Sequence, residues 1–146
     1  MLASNKALWW SPSGKYLAYL RFNESAVPEY RFPLYLDNND GAYPSEYVIR
    51  YPKPGFPNPI VTLHIYNTET PLTAQSDPVI IKEDFEDDDR IITEVAWIGD
   101  ENVLMREMNR VQDNMRVILV DVETRKGVIV REENSEEQDG GWFRVV

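Results

Sequence analysis

Apolar and polar positions alternate in short runs along this chain, and turn residues bound the runs, which is the pattern of β-strands. Residues 8–20 read as strand, tight turn, strand. Ser11, Pro12 and Gly14 fill the first, second and fourth places of a type I turn, with aromatic and apolar residues on both sides. Residues 60–66 alternate as a strand should and end at Asn67-Thr68-Glu69-Thr70-Pro71. Residues 91–97 predict a strand and 99–102 a turn; 115–122 predict a β-branched strand, 123–127 a turn and 128–130 a further strand. Two kinds of stretch break the alternation. Residues 23–59 are rich in proline and aromatics, with a turn cluster at 37–41 and four prolines within 52–59 that cannot sit in a central ladder. The tyrosines and phenylalanine there call for burial, so an ordered excursion is expected rather than a flexible linker. The acidic run 83–89 reads as a solvated loop or strand edge, and 132–141 as a further acidic, turn-rich loop.

One segment supports two readings. Leu104, Met108, Val111, Met115 and Ile118 are spaced 4-3-4-3, as on a helix face, and residues 101–116 contain many good helix formers. An internal repeat chooses the strand. Trp10 and Leu17 straddle a turn as Trp97 and Leu104 do, at an offset of 87, and Ile65–Thr70 matches 119–124 at an offset of 54. The difference, 33 residues, is an insertion in the first copy, inside the proline-rich excursion. Each copy becomes a four-stranded antiparallel unit with a tryptophan near one turn, the form of a β-propeller blade. The expected fold is all-β: about two blades, one over about 7–82 with its insertion at 23–59 and one over about 91–131. A further strand is expected to start at about 141–146. Propellers close with about four to eight blades, so the chain reads as part of one.

Composition narrows the function. The chain has 146 residues, a net charge of −10, no cysteine and one histidine, His64. Residues 1–82 carry seven acids and seven bases, and 83–146 carry 18 acids and eight bases. All ten prolines lie at or before Pro78 and all eight tyrosines at or before Tyr66, an asymmetry expected of a slice from something larger. No basic stripe is present, so nucleic acid is not an expected partner. No apolar run reaches membrane-span length, and the first six residues do not form a signal peptide. The lack of cysteine excludes disulfides and thiolate chemistry, and no metal or cofactor is expected. His64 alternates within a strand and reads as a packing residue. The 83–89 run lacks the glycine and ligand spacing of a calcium loop. One of Trp9 and Trp10 belongs in a core. Asn23-Glu24-Ser25 is an N-glycosylation sequon.

At several of these residues the sequence resembles a known family. Ala7-Leu8-Trp9-Trp10-Ser11-Pro12-Ser13-Gly14-Lys15-Tyr16-Leu17-Ala18 is similar to the dipeptidyl peptidase IV family, in its fungal dipeptidyl aminopeptidase branch. Asn23-Glu24-Ser25-Ala26-Val27-Pro28-Glu29-Tyr30, Tyr51-Pro52-Lys53-Pro54-Gly55 with Asn58-Pro59, Thr93-Glu94-Val95-Ala96-Trp97 and Gly141-Trp142 continue the match in order. The resemblance implies a serine exopeptidase that removes dipeptides from free N-termini when the second residue is proline or alanine. It implies an eight-bladed propeller stacked on an α/β-hydrolase domain, with a type II vacuolar membrane or secreted location and a glycan at Asn23. Expected partners are peptides with penultimate proline, the remaining blades, the hydrolase domain and, for the full-length protein, a second copy in a homodimer.

No catalytic residue is expected within these 146 residues. The family's ammonium-binding glutamate pair would stand just before Met1 and Leu2. None of Ser4, Ser11, Ser13, Ser25, Ser45, Ser76 and Ser135 lies in a Gly-x-Ser-x-Gly elbow. The resemblance also puts the family's triad histidine far downstream of His64. The expected role is scaffold and gating for a dipeptidyl peptidase, the alternative a non-catalytic propeller scaffold or interaction module.

Overall fold

The computed structural model describes residues 6–35, 43–70, 77–81, 84–138 and 140–143. Its elements are strands: β1 (Leu8–Trp10), β2 (Tyr16–Asn23), β3 (Glu29–Leu34), β4 (Ser45–Arg50), β5 (Ile60–Asn67), β6 (Ile80–Ile81), β7 (Ile91–Ile98), β8 (Asn102–Met108), β9 (Asn114–Asp121) and β10 (Lys126–Asn134). A 3₁₀ turn, Ser135–Gln138, follows. Two compact units result, one from residues 1–22 with 60–146 and one from Asn23–Pro59.

The first unit holds two sheets, β1-β2-β5 and β6-β10-β9-β8-β7. The β1–β2 turn closes as its residues dictate: the Gly14 amide donates to the Ser11 carbonyl at 2.9 Å, and Gly14 takes φ 77°. In the second sheet β7 to β10 form an antiparallel meander. Asp121 fixes the last hairpin by accepting from the Thr124 amide and hydroxyl, both at 2.7 Å. Gly127 is the one ladder position where a side chain has no room, since a Cβ there would stand 2.8 Å from Ile118 Cγ2.

Alternation decides which residues lie between the sheets. Val95, Met105, Ile118 and Ile129 stand opposite one another across four strands, as do Trp97, Val103, Val120 and Gly127. These rows face Ala18, Leu20, Val61, Leu63 and Ile65 of the first sheet in one apolar core, with Trp9 packed against it. Trp9 is therefore the core tryptophan of the pair, and Trp10 on the opposite face is 57% exposed.

Several expectations change. The helix-like spacing of 104–118 is accidental: β8 and β9 are strands, and Val111 lies exposed in the loop between them. The repeat holds at the tryptophans, but Leu17 corresponds to Val103 rather than Leu104. Trp10 pairs with Leu17 across six residues and Trp97 with Val103 across five, because the second turn is one residue shorter. The first sheet lacks a full fourth strand among the described residues. Pro78 bridges to His64 and the Val79 amide donates to Leu63, then Ile80–Ile81 run parallel along β10 of the second sheet. One short segment thus links both sheets.

In the other unit β3 and β4 pair in register from Glu29↔Arg50 to Leu34↔Ser45, a hairpin the sequence did not announce. Tyr51–Pro59 carries no ladder. Burial was expected for its aromatics, yet Tyr30, Tyr47, Tyr51 and Phe56 stay about half exposed. They pack on one another instead, Phe32 against Tyr47 with ring centres 5.4 Å apart and Tyr30 against Tyr51 at 6.2 Å, and the Lys53 ammonium lies 4.9 Å from the Tyr30 ring. The turn cluster 37–41 lies outside the described residues. Of the further strand at 141–146, residues 141–143 are irregular and the rest lies outside them.

Candidate functional site

The part of the molecule with the most specific chemistry is the joint between the two sheets, because polar groups there are buried and paired across it. At its inner turns, the Trp97 indole Nε1 donates to the Trp9 carbonyl at 3.0 Å, and the Tyr16 ring stacks on Trp97 at 6.5 Å. Asp100 Oδ1 accepts from the Ser13 amide at 3.0 Å and the Ser13 hydroxyl at 2.8 Å. These bonds, the amide's first, hold the Asp100 carboxyl below its ordinary range.

The other end of the joint is built on Arg90, which is 7% exposed. Its guanidinium donates to the Val61 carbonyl of β5 through Nε (3.1 Å) and Nη2 (2.9 Å). It also pairs with Asp84, and with Asp87 at 3.0 Å. Two carboxylates neutralise the cation while a carbonyl of the facing sheet uses its remaining donors, so one side chain ties the sheets together. Asp89 accepts from the Arg110 amide at 2.9 Å. Of the acidic run, Glu86, Asp87 and Asp88 are exposed, Asp87 while it pairs with Arg90; Asp84 and Asp89 are half-buried and bind within the joint and its loops, and Glu83 lies outside the described residues. Beside Arg90 lies a cavity of about 20 Å³, room for about one water, between Thr62, Leu63, Asp84 and Met105.

No catalytic constellation is assembled among the described residues. His64 is buried, stacked on Tyr19 with ring centres 5.2 Å apart, and its Nε2 meets Thr62 Oγ1 at 2.9 Å. Ser11 serves the β1–β2 turn, and Ser13 accepts the Lys15 amide there while its hydroxyl donates to Asp100. Ser25 donates its amide to Asn23, and Ser135 binds the Gly141 carbonyl. Ser4 and Ser76 lie outside the described residues. Asn23 is exposed at the end of β2, and its Oδ1 accepts the Ser25 amide at 3.1 Å. No group of three or more metal-ligating side chains occurs among the described residues.

The joint's opposite faces are open. Ala96, Leu104, Leu119 and Val128 stand in one row on the far side of the second sheet, and Val128 is 65% exposed. Leu8 and Trp10 do the same on the far side of the first. Two sheets packed face to face, each with exposed apolar residues on its outer face, fit consecutive blades of a β-propeller.

The model of the dipeptidyl peptidase IV (DPP IV) N-terminal region matches residues 1–146. The chain belongs to that family. Among its relatives is the Probable dipeptidyl-aminopeptidase B of Pyrenophora tritici-repentis, 46% identical over 97% of this chain and 17% of the relative. That of Tuber melanosporum is 42% identical over 99% of this chain and 16% of the relative. The chain thus spans about one sixth of the length of these relatives. The crystal structure of Porphyromonas gingivalis dipeptidyl peptidase 4 superposes with a TM-score of 0.75 at 27% identity, covering 90% of this chain and 18% of that one. The family's resemblance was legible from the Trp-Trp-Ser-Pro and Tyr-Pro-Lys-Pro-Gly residues. The Arg90 tie was not, because nothing local marks an arginine that reaches a carbonyl 29 residues away.

Proposed function

We propose that this chain is a propeller segment of a serine-type dipeptidyl peptidase that removes N-terminal X-Pro dipeptides from peptides, and that it supplies scaffold and gating while the chemistry lies elsewhere in the full-length protein. Membership of the dipeptidyl peptidase IV N-terminal family over residues 1–146 carries the reading. The two uncovered apolar faces support it, since they suit neighbouring blades. Under the same reading the hydrolase domain contributes serine, histidine and aspartate, and the propeller admits and orients the peptide. A homodimer of the full-length protein belongs to the same reading. Exposed Asn23 carries a glycan in a secreted or vacuolar-lumenal protein, and Asn23→Gln abolishes a glycosidase-sensitive mass difference.

The test is release of a chromophore from a Gly-Pro substrate. Full-length protein turns it over and the isolated chain does not. Turnover by the chain alone contradicts the scaffold role; a folded full-length protein without turnover assigns the chain to a non-catalytic propeller.

A further inference from the structure

Glu107 of β8 is fully buried, and neither of its carboxylate oxygens accepts a hydrogen bond among the described residues. Its place follows from the ladder. It is opposite Ile92 of β7 and Arg116 of β9, on the strand face that Met105 also presents to the first sheet. A buried ionised carboxylate without donors is costly, whereas a protonated one can donate. The charged groups around it come from every neighbouring element. Asp84 lies in the loop before β7, and Arg90 leads into that strand and is held by Asp84 and Asp87. Arg116 of β9 is paired to Glu132 of β10 at 2.7 Å and lies over the Phe85 ring at 4.1 Å. Both arginines thus already have acidic partners and leave Glu107 without a cation of its own.

We infer that Glu107 is held protonated inside the joint, and that its ionisation loosens the Arg90 tie between the two sheets, so that the propeller segment is a pH-responsive joint favoured by mildly acidic surroundings. Burial, then the charge and hydrogen bond of Asp84, push the Glu107 carboxyl up to about 8, against the opposing pull of Arg90 and Arg116. From its ordinary value of 4.5 up to about 8, the folded chain holds a proton that the unfolded chain has lost. Stability therefore falls as pH rises through that window and levels off above it. Once charged, Glu107 competes with Asp84 for the Arg90 guanidinium, and the donors to the Val61 carbonyl are drawn away.

The experiment compares the intact protein with its Glu107→Gln variant in denaturant unfolding at pH 5, 7 and 9. The contribution from Glu107 lowers the wild-type folded-to-unfolded ratio by roughly tenfold or more between pH 5 and 9, and Gln, neutral throughout, removes that share of the slope. Equal pH slopes in the two proteins overturn the inference. If the Gln variant does not fold, infrared spectra of the wild type decide. A protonated carboxyl band that persists at pH 6 and disappears near pH 8 supports a buried acid, and Asp84→Asn moves its loss to lower pH. A Glu107 carboxyl already ionised at pH 6 overturns it.

Discussion

The two faces of the five-stranded sheet carry rows of the same make-up with opposite fates. Val95, Met105, Ile118 and Ile129 are covered by the first sheet, and Met105 and Ile118 are wholly buried. Ala96, Leu104, Leu119 and Val128 lie one residue away on each strand and face outward. The outward row is as apolar as the covered one although the next row on its face holds the Glu94–Arg106 ion pair, and an uncovered apolar row of this kind suits a neighbouring sheet. Polar groups sharpen the contrast, since Arg90, Trp97 and Asp100 all bond across the covered face.

Arg90→Met should destabilise most, by about 3–5 kcal/mol in denaturant unfolding, because it leaves the Val61 carbonyl unbonded and Asp84 without its cation. Met105→Ala on the covered row should cost about 2–5 kcal/mol. Leu119→Ala on the open row should cost under about 1 kcal/mol in the isolated chain, and clearly more in the full-length protein if a neighbouring blade covers it. Equal costs for Met105 and Leu119 in the isolated chain would remove the distinction. Trp97→Phe keeps the ring packing and deletes one donor to the Trp9 carbonyl, an expected loss of about 1 kcal/mol. Asp100→Asn should have the smallest effect, visible only at acid pH. The Asp100 carboxyl lies below its ordinary 3.8, so its contribution is present above that value and lost as pH falls further. The variant should therefore melt with a shallower acid-side decline.

Strands with a turn residue at each end were legible in the sequence. Ser11-Pro12-Ser13-Gly14 and Asp121 with Thr124 close the hairpins they announce. The hairpin β3–β4 was not, because both of its strands put aromatics on exposed positions and Pro33 interrupts the pattern. The helical spacing at 104–118 misled for a related reason. Leu104, Met108 and Met115 lie on one face of the sheet, Ile118 lies on the other and Val111 sits in the loop between the strands, so five apolar residues that share a face on a helical wheel are divided in the sheet. At the joint, Trp97 could be found through its repeat partner Trp10. Glu107 could not, since a glutamate between Arg106 and Met108 looks like any surface residue until the 84–90 loop closes over it.

The two joined blades of this chain have outer faces that call for neighbours. Sedimentation of the isolated chain over a concentration series tests this most directly, alongside a variant with Ile98, Val128 and Val130 each changed to Thr on the open face. The average mass of the wild type should rise with concentration, and the variant should shift it toward monomer. A wild-type chain that stays a monodisperse monomer throughout would contradict this.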